Sequence, residues 1–275
     1  MSATGAFFRL EIADAARSRW VAFTAAVYLV VFGAFVWLGL RESTVLGFTG
    51  LSRVVLNVSN AVVLVIPLVS LVATMHVVVR ARTSGFFELL LAQPCRRVDW
   101  FHAVVASRVA VIVGPLVLLL GIVLVAGGGR EGTLVPLVLR TVAVTLALVW
   151  SFVGVGLWLS SVARTSERAT VYALLAWLAA AALHDFALIG LLLNARVTPA
   201  VVFGLAAANP VEAARLAILS GIDPDLSVLG PVGFWLANTL GPHWTFAIGV
   251  GWPLALGTFC VWAASRRLRR SDLTG

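Results

Sequence analysis

The chain has 275 residues, of which 61% are hydrophobic and only 12% charged, and its mean hydropathy is +1.02. Soluble domains carry about a quarter charged residues, so this composition excludes water as the main solvent and predicts an all-α polytopic membrane protein. A formal net charge of +8 would suggest nucleic acid as a partner for a soluble protein, but here the positions of the charges assign it to membrane topology.

A bilayer core of about 30 Å takes about 20 apolar residues per helix. Six stretches meet that length: Trp20 to Leu40, Val54 to Val79, Ala103 to Ala126, Thr141 to Val162, Ala169 to Leu193 and Trp244 to Ala264. No segment between them could hold a core of its own, so residues 1–275 read as a single transmembrane domain.

Ahead of the first span, FFRLEIADAARSR puts Phe8, Ile12 and Ala15 or Ala16 on one helix face, with Arg9, Asp14 and Arg17 elsewhere. That pattern predicts a short amphipathic helix lying in the membrane interface. The apolar run of the first span is about twice the length of a signal-peptide core and has no good cleavage site, so it is read as staying in the membrane.

Between spans two and three lies RARTSGFFELLLAQPCRR. Gly85 and Pro94 bound the run Phe86, Phe87, Glu88, Leu89, Leu90 and Leu91, which predicts a short helix with an apolar face. Such a face in a connecting loop needs a partner, and a second subunit fits better than lipid. Cys95 falls in this loop and Cys260 near the same side; their spacing matches no metal motif, and no chemistry is assigned to them. Met75 and His76 form a lone thioether and imidazole pair without further ligands, read as packing. His102 and His243 flank spans at the interfaces.

Gly127, Gly128 and Gly129 make a flexible turn between spans three and four. Pro67, Pro115 and Pro253 fall inside spans two, three and six, where each removes a backbone donor and tends to kink the helix. In span five, His184 and Asp185 are the only ionisable pair deep in a predicted span, which marks them as candidates for a pathway or gate.

The connection from Asn194 to His243 carries a well-signalled helix. Asn209 fits the N-cap, Pro210 the first turn, Glu212 the third position and Gly221 the end. Val211, Leu216, Ile218 and Leu219 give it an apolar side, and Arg215 is its one cation. A second stretch, PVGFWLANTLG, brings Phe234 and Trp235 to the same region. Together they predict an external helical cap between spans five and six that binds a partner or forms a gate.

All 20 basic residues are Arg. With the N-terminus inside, 14 of the 20 lie on the cytoplasmic side while the 12 acidic residues split evenly, an asymmetry of Arg alone. Both termini are therefore read as cytoplasmic, in a cell (inner) membrane. With no Lys, the chain cannot form a G-x-x-x-x-G-K-[ST] loop, so any ATP and Mg would be bound by a partner subunit. No G-x-S-x-G sequence and no Ser arranged with a His argue for an enzyme.

An amphipathic leader, six spans, a helix-bearing loop between spans two and three and a helical cap before span six together resemble an ABC-2 type transporter permease. Gly85-Phe86-Phe87-Glu88-Leu89-Leu90-Leu91 ending at Pro94 is similar to that family's G-T-L-E-L-L-L…P segment, with Phe86 in place of the usual Thr and Arg80 and Arg82 where acidic residues are common. The resemblance implies that this segment docks on a cytoplasmic ATPase subunit. A narrower resemblance is to the permeases of nitrous oxide reductase maturation. It rests on Arg17-Ser18-Arg19-Trp20, Leu46-Gly47-Phe48-Thr49, and Asn209-Pro210 followed by Arg215-Leu216 and Leu219-Ser220-Gly221. It implies a homodimer with a periplasm-facing accessory protein, supplying the copper-sulfur centre of the reductase. The alternatives are an ABC-2 exporter of lipid, polysaccharide or drug, and a membrane enzyme or scaffold without transport.

Overall fold

A computed structural model gives the architecture over residues 3–17, 24, 26–30, 33, 50–92, 96–126, 134–194, 197–223, 226 and 230–270. Most of the expected first span lies outside these residues, as do Leu46 to Thr49, Pro94 with Cys95, and Gly127 to Gly129. Among the described residues every regular element is helical: α1 (Ala3–Arg17), α2 (Gly50–Thr74), α3 (Val77–Thr83), α4 (Phe86–Leu91), α5 (Arg97–Ala126), α6 (Leu134–Val162), α7 (Ser166–Leu178), a π turn (Ala179–Leu183), α8 (His184–Asn194), α9 (Pro199–Ala208), α10 (Pro210–Ile222), α11 (Gly230–Thr239) and α12 (Gly241–Arg270).

Among the described residues five units are long and apolar enough to cross a bilayer: Val63–Thr83, Arg97–Leu118, Val135–Val162, Ser166–Leu191 and Gly241–Arg269. In order, they are the second to sixth spans expected from sequence. A further crossing-length unit is the pair α9 and α10, which bend by 115° at their junction.

The hub of the bundle is α6, which packs on α12, α2, α10 and α5. Small residues set its closest approach. A Cβ on Gly154 would stand 2.6 Å from the Gly257 carbonyl oxygen, and one on Gly257 would stand 2.6 Å from that of Trp150. Glycine at both positions lets the two backbones touch, the route to tight association when lipid removes any hydrophobic drive between helices. The Trp150 indole donates to Thr258 Oγ1 at 3.1 Å across the same crossing.

The span Val63–Thr83 breaks at Met75 and His76, where α2 passes into α3. The amides of Val78 and Val79 at the start of α3 donate to Ser160 Oγ at 3.0 and 3.3 Å, so α6 caps a helix that has no cap of its own. At this same C-terminal end α6 receives cations in return. Arg82 donates to the carbonyls of Ser161 and Ala163, and Arg267 to that of Ser161. These orphan carbonyls carry the negative end of the helix dipole, which suits guanidinium groups.

The amphipathic helix expected at the N-terminus is α1, which lies along α5. Phe7 packs on the core, and Glu11 pairs with Arg108 of α5 at 3.3 Å, while Leu10 is left exposed.

Candidate functional site

The bend between α9 and α10 follows from Asn209-Pro210. A proline disfavours α geometry in the residue before it, and Asn209 is extended at φ −85°, ψ 122°. Its side-chain oxygen accepts from the Val211 amide at 3.0 Å, the cap read from sequence, with Pro210 in the first turn. Its side-chain amide is also engaged: Nδ2 donates to the Ala180 carbonyl at 2.6 Å. Ala180 stands in the π turn, whose wider winding displaces carbonyls from the regular ladder, and the run of alanines there lets the Asn209 amide approach.

One turn further along, the two polar features that sequence treats separately meet. Arg215 of α10 lies 2.8 Å from Glu212 Oε1 on its own helix and 3.6 Å from Asp185 Oδ2 on α8. The Glu212 side chain is 12% exposed, and those of Arg215 and Asp185 about a third. His184, adjacent on the helix, points elsewhere, with a buried Nε2 that has no hydrogen-bond partner among the described residues.

The helix from Asn209 to Gly221 forms as read, but it sits deeper than a surface cap. Val211, Glu212, Leu216 and Ile218 are buried, Leu219 half-buried, and α10 packs on α12, α6 and α2. Its C-terminal end is held by Arg140 of α6, which donates to the Ala217 carbonyl (2.8 Å), Ser220 Oγ (2.6 Å) and the Pro242 carbonyl (3.0 Å), and lies 4.5 Å over the Phe246 ring. A Cβ on Gly221 would stand 2.5 Å from Arg140 Cδ, so glycine there makes room for the guanidinium stem. The N-terminal end, at the bend, is marked by Trp252 of α12, whose indole donates to the Ala208 carbonyl at 3.1 Å. From Pro242 to Trp252 along α12 is about 15 Å at 1.5 Å per residue. The pair α9 and α10 thus forms a bent wedge: the chain turns by 115° at Asn209, with α10 packed on α12, α6 and α2 and α9 against α11, α10 and α8.

Arg140 and Trp252 are functional candidates that sequence reasoning passes over. The span expected from Thr141 leaves Arg140 outside it; the helix starts at Leu134, so the residue lies within it. The readable signal was a lone Arg inside the apolar run LVPLVLRTVAV.

At the opposite end of the bundle, α4 carries the segment matched to the ATPase-docking motif. Gly85 starts it in the left-handed region at φ 72°, a conformation that a Cβ would strain. Phe87 and Leu90 face inward and are buried; Phe86 and Phe87 ring centroids lie 5.4 and 5.3 Å from that of Trp100. Glu88 and Leu89 face outward, and Leu89 is 70% exposed. The Leu91 side chain and Pro94 lie outside the described residues. The outward face of α4 is therefore Glu88 and Leu89, while Phe87 and Leu90 anchor the helix to its own chain.

The sequence profile of the ABC-2 family transporter proteins matches residues 6–273. A relative from Pseudomonas aeruginosa, described as a probable ABC transporter permease protein NosY, is 25% identical over 223 residues, which cover 78% of this chain and 81% of the relative.

Proposed function

The chain belongs to the ABC-2 family of transporter proteins and is a membrane-spanning permease subunit; on that premise we propose that it serves the maturation of nitrous oxide reductase, helping to supply its copper-sulfur centre. The observation that carries this reading is similarity to NosY over most of both chains, joined to the segment Asn209-Pro210, Arg215-Leu216 and Leu219-Ser220-Gly221. That segment builds the wedge and its contacts. ATP is hydrolysed by a cytoplasmic partner that binds Mg and docks on the outward face of α4. A second copy of the chain completes the translocation unit. Its support is the span Ser166–Leu191, whose most apolar stretch has none of its residues buried, whereas 61% of the corresponding stretch of Val135–Val162 is buried. A periplasm-facing accessory protein receives or delivers the cargo on the wedge side, and both termini face the cytoplasm.

In this reading the wedge is the gate. Asp185, Arg215 and Glu212 latch it to α8, Asn209 fixes its tip to the π turn, and Arg140 is the hinge at its mouth. Asp185 and Arg215 are each about a third exposed, so their contact can open with water replacing the partner. Buried Glu212 meanwhile keeps its pair with Arg215 on the same helix and is not left as an uncompensated buried ion, which would cost several kcal/mol. Disrupting the gene in its native host should yield reductase polypeptide lacking copper-sulfur absorbance, restored by the wild-type chain and not by Asp185→Asn with Arg215→Gln. A reductase fully loaded in the disrupted strain would refute the assignment.

A further inference from the structure

The ends of α5 and α12 enclose a cavity of about 630 Å³ lined by Arg96, Arg97, Asp99, His102, Leu268 and Arg269. That size is in the ~300–1,000 Å³ range of ligand sites. Three guanidinium groups face one carboxylate, so the cavity is electropositive. Arg96, His102 and Arg269 are exposed, and the cavity is open to its surroundings. The crossing segments Arg97–Leu118 and Gly241–Arg269 begin and end at these residues, which puts the cavity at the level of the lipid headgroups.

What lies beside the cavity on α12 decides the kind of anion. Arg269, Arg266, Trp262 and Phe259 follow at spacings of three and four, the period of one helix face. All four are exposed; Phe259 is 61% and Trp262 48% accessible, and the two rings are 6.0 Å apart. The Arg266 guanidinium lies 4.1 Å over the Trp262 ring. One stripe thus runs from cations at the cavity to bare aromatic surface towards the hydrocarbon. A free phosphate would use only the cationic end. A molecule with a phosphate head and acyl chains uses the whole stripe.

We propose that this cavity binds an anionic phospholipid, with its phosphate among Arg96, Arg97 and Arg269 and its chains along Trp262 and Phe259. The docking segment α4 is close by, since Arg97 also lies 6.0 Å over the Phe87 ring. A lipid held there braces the junction between α4, α5 and α12.

The full-length chain, purified and released from nanodiscs into the mass spectrometer, should retain phosphatidylglycerol in preference to phosphatidylcholine. Arg96→Gln with Arg269→Gln should weaken phosphatidylglycerol retention by about thirtyfold, two near-surface cations' worth, and leave phosphatidylcholine unchanged. Arg96→Lys with Arg269→Lys should keep the preference, because a phosphate in this cavity needs charge. Arg164→Gln with Arg168→Gln, outside the cavity, should also keep it. Unchanged retention in the glutamine pair, or equal loss in the Arg164 and Arg168 control, overturns the proposal. Displacement of the lipid by millimolar glycerol phosphate also overturns it, in favour of a site for free phosphate. Should the glutamine pair not yield folded protein, the wild type decides: the preference must fade from low to high salt, and a salt-independent preference overturns it.

Discussion

Replacing Arg215 by Gln removes the cation shared by two carboxylates on different helices. At an effective dielectric near 20, the 2.8 Å contact to Glu212 is worth about 6 kcal/mol gross and the 3.6 Å contact to Asp185 about 5. Most of this is offset by desolvation, and Arg215 and Asp185 are each about a third exposed, so water screens them. Fully buried pairs cost roughly 3–5 kcal/mol to break; with this exposure the expected loss is about 2 kcal/mol. The burden falls on Glu212, whose side chain is 12% exposed and, without its cation, must stay charged and unpaired or take up a proton. Asp185→Asn leaves the Arg215 and Glu212 pair intact and should cost less than about 1 kcal/mol. Adding Glu212→Gln to Arg215→Gln should recover about 1 kcal/mol, because an unpaired buried charge is replaced by a neutral amide. The assay is reversible unfolding in mixed detergent micelles across the Arg215 and Glu212 double-mutant cycle. Equal losses for Arg215→Gln and Asp185→Asn, or a double variant no more stable than Arg215→Gln alone, would refute the assignment of the larger share to the Arg215 and Glu212 pair.

Other contacts make equally concrete predictions. Arg140→Leu removes three hydrogen bonds and a ring contact; at about 0.6–1.5 kcal/mol per bond it should cost roughly 2–4 kcal/mol in the same unfolding assay. Gly249→Val would drive a side chain into Ala217 Cβ and the Ala213 carbonyl of α10. It should destabilise by about 1–3 kcal/mol and raise the thiol-labelling rate of a cysteine placed at Ala213; an unchanged rate would mean that α10 does not shift. Leu89→Asp, on the outward face of α4, should change stability by less than about 0.5 kcal/mol yet abolish co-purification with the ATPase. Phe87→Asp should instead lower the folded yield, since it places a charge beside Trp100 in the core; the reverse pattern would exchange the anchoring and docking faces.

The helices were legible because membrane spans are the strongest signal a sequence carries: long apolar runs with few charges, bounded by Arg. The cap of α10 was legible for a local reason. Asn209, Pro210 and Gly221 act within a few residues of themselves, and their chemistry needs no tertiary partner. The short helix after Gly85 was readable in the same way, although a run with Phe or Leu at nearly every position does not say which side faces in. Periodicity assigns a face only where polar residues mark the other one. On α4, Trp100 takes Phe86 and Phe87, and the exposed side is left to Glu88 and Leu89.

Sequence by itself determined that this is a helical membrane protein, where five of its spans lie, and that residues 209–221 form a capped helix. It also picked out His184 and Asp185 as ionisable groups deep in a span, Glu212 as part of a helix cap and Arg215 as the one cation of that helix. Only the tertiary structure decided that Asp185, Glu212 and Arg215 belong to one cluster. Asp185 and Arg215 are thirty positions apart, and their meeting depends on the 115° bend, the π turn and the glycine crossings that let α10 enter the bundle. Arg140 shows the same limit: whether a cation at a span's edge faces solvent or holds three oxygens of other helices is settled by what the fold brings to it. Local propensity fixes what each segment can be, whereas packing between distant segments fixes which polar groups must satisfy one another when water is excluded.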